Sequence, residues 1–378
     1  MLYNELRSTG EKISILGFGC MRLPVLNGQY NNVDIDSAIP LIRRAIDCGV
    51  NYLDTAYPYH NGRSETVIAE ALKDGYREKV FIADKLPSWL VQERVDMDKY
   101  LQEQLERLQT EQIDFYLLHS VKGDYWANLE SLGVLNFLDD AVNDGRIKYT
   151  GFSFHGELEL FFDVIDSYKW DICQVQYNIV DENYQAGREG IRYASKQGVG
   201  VVVMEPLRGG TLVKNVPPEV QEIWDEAPVK RSPAEWALKY LWDQEEVDIV
   251  LSGMGTCKDL EENLMIAEEG FSDSLTQDET ELIREVRSAY RERKQVECTQ
   301  CGYCMPCSSG VDIPGNFQQL NHAYMFQDIE NPKMNYYMLL KDGERASNCT
   351  ECGDCEKMCP QMIPIRKTLK KVRETFEN

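Results

Sequence analysis

The stretch VFIADKLPSWLVQERVDMDKYLQEQLERLQTEQIDFYLLH, Val80–His119, holds one complete structural unit. It opens on a short apolar run, VFIADK (Val80–Lys85). It continues into an amphipathic segment, Val95–Leu108, where Met97, Leu101, Leu105 and Leu108 recur at helical spacing. It closes on a second apolar run, IDFYLLH (Ile113–His119). Runs this nearly continuous read as strands buried on both faces, and such strands belong to parallel sheets covered by helices.

The same alternation continues outward in both directions, from the start of the chain to about residue 270. The other strand-like runs are ILGFG (Ile15–Gly19), NYLDT (Asn51–Thr55), IKYTGFS (Ile147–Ser153), ICQVQY (Ile172–Tyr177), GVVVME (Gly200–Glu205) and VDIVLSG (Val247–Gly253). Helical patterns fall between them at Ile35–Cys48, Leu129–Asn143, Pro233–Asp243 and Asp259–Glu268. Eight strands alternating with helices predict a (β/α)₈ TIM barrel. A doubly wound open sheet is the alternative, but no GxGxxG opens the first strand-to-helix turn. Ahead of the barrel, Leu2–Leu6 and Lys12–Ile15 read as a hairpin joined through Ser8-Thr9-Gly10, placed to cover the barrel bottom.

After a last helical pattern, about Gln277 to Arg293, cysteine, glycine and proline appear together and the alternation stops. The expected boundary lies near Arg291, dividing a barrel domain, 1–290, from a small domain, 291–378. A chain of 378 residues is long enough for both. The net charge of −23 disfavours nucleic acid and anionic membrane as partners. The N-terminus MLYNELRSTGEK lacks the apolar core of a secretion signal. No run reaches the roughly 18 apolar residues that a membrane helix needs. The expected compartment is therefore the cytoplasm, where cysteines act as ligands more often than as disulfides.

Barrels of this kind build their active sites at the C-terminal ends of the strands. Those ends carry Asp54, with Tyr59 five residues on, then Lys85, His119 and Ser153, while the sixth run carries Gln174. Core packing does not require one polar group per strand at one mouth. A free tyrosine, with a pKa of about 10, is a reluctant acid. A nearby ammonium lowers that value, and a carboxylate keeps the ammonium charged and fixed. Tyr59, Lys85, Asp54 and His119 together suit protonation of a carbonyl oxygen as hydride reaches its carbon. Blander readings exist for each. Asp54 serves as a helix cap, Tyr59 or Tyr57 as a rim aromatic, and His119 as a satisfied core histidine. Spacing from Asp54 favours Tyr59 over Tyr57. His60 and His155 also fall near the mouth and receive no chemical role.

The motifs DTAYPYHNGRSE (Asp54–Glu65), VFIADK, IDFYLLH, GFS (Gly151–Ser153) and PLRGG (Pro206–Gly210) resemble, in order and spacing, the aldo-keto reductase superfamily. The resemblance spans the whole barrel. It implies that Asp54, Tyr59, Lys85 and His119 form a catalytic tetrad with Tyr59 as general acid. It implies further that Ser153 and Gln174 hold a nicotinamide carboxamide, that Leu207, Arg208 and Gly209 belong to the cofactor site, and that Asn263 contacts the adenine end. The chain departs from the family pattern in places. Phe154 follows Ser153 where many members have asparagine, and Met204 stands where an aromatic ring often stacks on the nicotinamide. In GMGTCKDLEEN (Gly253–Asn263), Gly253 and Asp259 replace basic residues that grip the 2′-phosphate of NADPH in many members. Lys258 or Arg208 could compensate, and Thr256 with Asp259 is also a helix capping box. The choice between NADH and NADPH is therefore left open.

Eight of the twelve cysteines lie in two runs, CTQCGYCMPC (Cys298–Cys307) and CTECGDCEKMCP (Cys349–Pro360). Three thiolates spaced by three ligate three irons of a cubane, and the fourth cysteine of each run serves the other cluster, as in two-cluster bacterial ferredoxins. Cluster one would take Cys298, Cys301, Cys304 and Cys359. Cluster two would take Cys349, Cys352, Cys355 and Cys307. Structural zinc prefers separated CxxC pairs and fits two runs of four poorly. Cys307 departs from the ferredoxin pattern, being followed by Ser308 and one residue close to Cys304. Cys20, Cys48, Cys173 and Cys257 are dispersed and read as packing residues. The tail thus resembles a ferredoxin-like iron–sulfur domain, and the whole chain resembles the ferredoxin-fused branch of the reductases.

The expectation is an NAD(P)H-dependent reductase acting on a small carbonyl or alcohol substrate and carrying two [4Fe–4S] clusters. Two other classes stand beside it. One is a ferredoxin- or flavin-linked electron-transfer enzyme with a redox partner protein. No flavin motif is present, but barrels bind flavin phosphate without a short motif. The other is a redox-sensing barrel without catalysis, against which the complete tetrad argues.

Overall fold

The apolar runs become strands, and their ends meet. A computed structural model describes residues 1–378. Two short strands come first, β1 (Tyr3–Glu5) and β2 (Lys12–Ser14), paired antiparallel with Glu5 opposite Lys12. Eight parallel strands follow: β3 (Leu16–Gly19), β4 (Tyr52–Asp54), β5 (Phe81–Leu86), β6 (Ile113–Val121), β7 (Ile147–Phe154), β8 (Ile172–Gln176), β9 (Gly200–Met204) and β10 (Ile249–Ser252). They pair in sequence order, and β10 closes the barrel by pairing with both β9 and β3. Each expected run overlaps one of them, and β5, β6 and β7 extend one or two residues past theirs.

The two-residue period of a strand explains how the barrel holds both a core and a site. Tyr52, Ala83, Phe115, Leu117, Ile172, Val202, Ile249 and Leu251 form one apolar cluster. Two residues further along their strands stand Asp54, Lys85, His119, Gln174 and Met204. The apolar layer is the floor of the polar one. From below, Leu6 and Ile13 of the β1–β2 hairpin join the same cluster, so the hairpin does close the bottom. Gly151 belongs to this tight layer because any Cβ there would stand 2.7 Å from the Ile172 carbonyl oxygen.

One helical expectation divides. Leu129–Asn143 reads as a single amphipathic segment, but Gly123–Ser131 and Val134–Asn143 are separate helices. Gly133 stands between them at φ +73°, a left-handed conformation that glycine adopts without strain and that ends a helix.

The chain divides into two compact units, Met1–Gly209 with Ala234–Thr276, and Gly210–Pro233 with Gln277–Asn378. The first holds the barrel. The second is helical, with its principal helices at Pro218–Glu226, Gln277–Glu292, Ile313–Met325, Glu330–Leu339 and Ile365–Phe376. Ile365, Leu369, Val372 and Phe376 recur on one buried face of the last helix and join Val311, Ile313, Phe317 and Leu320 in a core. Arg366, Lys367, Lys370 and Arg373 take the exposed face. Cys298, Cys304, Cys307, Cys349, Cys355 and Cys359 pack against this core.

Candidate active site and cysteine loops

Asp54 is the last residue of β4, and Lys85 lies two positions beyond its register partner Ala83 on β5. Lys85 Nζ donates to Asp54 Oδ1 at 2.8 Å and to the Thr55 carbonyl at 2.6 Å. Lys85 is fully buried and Asp54 is 3% exposed, so this ion pair is sealed from water. Burial alone would discharge the lysine. Asp54 first, then Tyr59, outweigh it and hold the ammonium above its ordinary pKa. Burial raises Asp54, and the lysine opposes that rise.

Tyr59 begins the turn Tyr59–Gly62 after β4, and Lys85 Nζ lies 5.0 Å from its ring centroid. The sequence suggests a lowered tyrosine pKa. Burial wins instead, and Tyr59 is pushed up to about 12 even though Lys85 pulls it down. The His119 ring stands 6.0 Å from the Tyr59 ring at 84°. Burial, then the Lys85 and His155 charges, hold His119 well below its ordinary pKa, so its imidazole is neutral at neutral pH. Its Nδ1 is buried without a hydrogen-bond partner.

The carboxamide candidates are also placed at this mouth. Ser153 Oγ accepts from the Ser120 N–H at 2.9 Å, which leaves its own hydroxyl proton to donate. Gln174 Nε2 donates to Met204 Sδ at 3.6 Å, while Gln174 Oε1 is buried with no donor. A buried amide oxygen without a donor is costly unless a ligand supplies one, and a nicotinamide carboxamide offers an N–H of the right kind. The residues therefore fit that cofactor.

The remaining candidates are engaged elsewhere. Asn263 Nδ2 donates to Ser252 Oγ at 2.7 Å, tying its helix to β10. Arg208 Nε donates to Asp181 Oδ2 at 2.9 Å, and Gly209 follows at φ +66°. Leu207 stands between Pro206 and Arg208 in the loop after β9. Thr256 caps its helix by accepting from the Asp259 N–H at 3.1 Å.

Three contributors escape the sequence reading. His60 accepts from the Leu23 N–H at Nε2 (3.2 Å), so its Nδ1 carries the proton given to the Tyr30 carbonyl at 2.6 Å. This pins the turn that presents Tyr59, in which His60 and Asn61 have φ of +51° and +54°. Trp89 lies 5.1 Å from the His119 ring, ring to ring. Arg22 bonds Glu205 Oε1 through both terminal nitrogens at 3.0 Å, bridging the loops after β3 and β9. The HNG run after Tyr59 signals a turn, but nothing in the sequence shows what the His60 ring reaches.

In the second unit, Cys298, Cys301, Cys304 and Cys359 line one small cavity, together with Ile313, Phe317, Ile363 and Ile365. They are mutual electrostatic neighbours. Cys355 has Cys349 and Cys352 as its cysteine neighbours. Next to the run's fourth cysteine, Ser309 Oγ meets Thr350 Oγ1 at 2.9 Å, which brings the Cys307 and Cys349 segments together. All eight thiols are free of disulfides. No three His, Cys, Asp or Glu side chains converge closely enough for a single metal ion.

A family model described as the aldo/keto reductase family matches residues 15–287. The chain belongs to the aldo/keto reductase family. This aldo/keto reductase carries a 4Fe-4S dicluster domain, matched over residues 297–363. It is an oxidoreductase of a family in which nicotinamide cofactors are typical. It is 28% identical over 283 residues to L-galactose dehydrogenase of Arabidopsis thaliana, covering 68% of this chain and 86% of that one. It is 28% identical over 235 residues to the NADH-specific methylglyoxal reductase of Escherichia coli, covering 56% and 69%. A solved aldo-keto reductase from Bacillus halodurans, in its holo form, superposes with a TM-score of 0.63 at 25% identity, covering 76% of this reductase and 96% of its own chain. No helix of the reductase is long and apolar enough to cross a membrane.

Proposed function

We propose that this aldo/keto reductase interconverts a small carbonyl compound and its alcohol, with Tyr59 as the proton donor. The observation that carries the reading is the sealed Asp54–Lys85 pair lying beneath the Tyr59 ring, with neutral His119 on the other side. Tyr59, held protonated at neutral pH, gives its proton to the substrate oxygen. Lys85 stabilises the phenolate left behind, and Asp54 keeps Lys85 charged and aimed. His119 hydrogen-bonds the same substrate oxygen. Ser153 and Gln174 fix the nicotinamide carboxamide, with Leu207, Arg208, Gly209 and Asn263 along the rest of the cofactor. A bound reduced nicotinamide supplies the hydride. Either NADH or NADPH could serve: Asp259 would disfavour a 2′-phosphate and neighbouring Lys258 would favour one. The test is transfer of deuterium from deuterated NADH, or deuterated NADPH, to a panel of aldehydes and ketones. No label in any alcohol product sinks the reading.

In the tail, Cys298, Cys301, Cys304 and Cys359 hold one [4Fe–4S] cluster, and Cys349, Cys352, Cys355 and Cys307 hold the second. The four cysteines of the first set are those that line one cavity, which supports this pairing. The reductase part is 1–290 and the cluster part 291–378. Bound clusters would tie the tail together through these thiolates and would lie outside the hydride path. The dicluster match favours a second reading, electron exchange with a redox partner protein. Rapid bleaching of the cluster absorption by NADH without a mediator would put it first. The protein acts in the cytoplasm.

A further inference from the structure

Between β5 and the helices Arg63–Ala71 and Arg94–Leu108 lies a sealed polar cluster that the reaction does not use. Asp84 and Glu65 are both fully buried. Asp84 Oδ1 accepts from the Lys85 backbone N–H at 2.8 Å. Glu65 Oε2 accepts from Arg107 at 2.9 Å. The other two oxygens, Asp84 Oδ2 and Glu65 Oε1, are buried with no donor from any other group. The two carboxyl groups are electrostatic neighbours in this cluster, with Gln104 also beside Glu65. On the far side of the same peptide, Gln104 Nε2 donates to the Lys85 carbonyl at 3.0 Å, and Tyr116 donates to Gln104 Oε1 at 2.7 Å.

We propose that Asp84 and Glu65 hold a single proton between them, forming a charge-balancing pair that positions Lys85 from behind. Two carboxylates in contact cannot both ionise in a sealed site with one guanidinium to share. A proton placed between the two donorless oxygens satisfies both. The charges then cancel: Lys85 and Arg107 against Asp54 and one carboxylate of the pair. The other groups facing the pair are Tyr116 and Cys20, both neutral, and Glu103 reaches Arg107 from its solvent side at 3.5 Å. The positioning role rests on the reading of Lys85 as part of the proton-donating machinery. The shared proton does not.

Burial first, then the Glu65 charge, raise Asp84 well above the carboxylate range, and burial raises Glu65 against the pull of Arg107. A carboxyl whose folded pKa is raised contributes stability below its unfolded pKa, and that contribution is lost as pH rises through the folded value. Stability should therefore fall as pH climbs from the ordinary carboxylate range through the raised pKa of the pair.

The experiment is infrared spectroscopy and urea unfolding of the full chain, kept anaerobic, with Asp84→Asn, Glu65→Gln and the double variant. Wild type at neutral pH should show the carbonyl stretch of a protonated carboxylic acid, shifted by carboxyl-¹³C aspartate or glutamate labelling and lost in each single variant. Each single variant should match the wild-type urea midpoint in mild acid and lose less of it as pH rises. The double variant, with only Glu103 on its solvent side left to Arg107, should lose more than the two singles together. Absence of the band in wild type overturns the proposal. So does a single variant as unstable as the double. Failure of both singles to fold also overturns it, because an amide is the neutral isostere of a protonated acid. None of these readouts depends on turnover, so they separate this proposal from the assignment of Tyr59.

Discussion

Lys85 Nζ lies 2.8 Å from Asp54 Oδ1, and both side chains are buried. Removing one partner of a buried ion pair leaves the other uncompensated, at a cost of about 3–5 kcal/mol. Lys85→Met should therefore lower the unfolding free energy by about that amount at neutral pH. The penalty should shrink as pH falls, because the orphaned Asp54 then takes up a proton. Asp54→Leu combined with Lys85→Met should recover part of the loss. Urea unfolding across pH checks this, and a neutral Lys85→Met would mean that the pair is not formed.

Tyr59→Phe removes one hydroxyl and leaves the packing in place. Carbonyl reduction should fall at least about a hundredfold, the usual scale of a general acid. Tyr57→Phe should stay active, since the Tyr57 hydroxyl is committed to Glu103 at 2.9 Å. With Tyr59 pushed up to about 12, the proton donor stays loaded across the neutral range. Reduction should therefore hold level there and fall only in strong alkali, while alcohol oxidation, which needs the phenolate, should rise with pH. Lys85→Met removes a charge that lowers Tyr59, so any residual activity should show its alkaline limb displaced upward. A dead Tyr57→Phe with a normal Tyr59→Phe would reverse the assignment.

His60→Ala leaves the buried Leu23 N–H without its acceptor, a loss of about 1–3 kcal/mol. The left-handed turn at His60 and Asn61 loses its anchor, and Tyr59 rides on that turn. Steady-state kinetics should show kcat falling more than KM rises. An unchanged kcat in a folded His60→Ala protein would leave the ring a packing role alone.

Anaerobic protein should hold about eight irons and eight acid-labile sulfides per chain if both cysteine runs are loaded. Stoichiometric zinc without sulfide contradicts this. Replacing Cys301 and Cys352 with serine should destabilise the tail, since metal–thiolate bonds contribute folding energy in small domains. Carbonyl reduction per folded molecule should largely persist, which an assay normalised to the folded fraction will show.

Much of this is legible in the sequence alone. Strands covered on both faces are written as unbroken apolar runs, so β3 to β10 announce themselves, and the two-residue period carries Asp54, Lys85, His119 and Gln174 to one end. Other features are carried by contacts rather than patterns. The break at Gly133 is one glycine in a leucine-rich stretch that reads as helix on either side. The tail helices Ile313–Met325 and Glu330–Leu339 follow a cysteine-, glycine- and proline-rich run that masks their apolar spacing. Glu65 and Asp84 are nineteen positions apart and look like two ordinary surface acids until the fold buries them together. The Tyr59 pKa was misjudged because charge is visible in a sequence and desolvation is not.

The helical unit is assembled from two separate pieces of chain, Gly210–Pro233 and Gln277–Asn378. The first piece includes Pro218–Glu226, which packs on Gln277–Glu292. On the ribosome the shorter piece emerges about fifty residues before that partner, counting from Glu226 to Gln277. It must wait while the last barrel strand is made. A chain truncated after Thr276 would hold every strand of the barrel yet leave that helix without Gln277–Glu292, on which it packs. Translation order thus makes Gln277–Glu292 the last step in finishing a segment that leaves the ribosome well ahead of it.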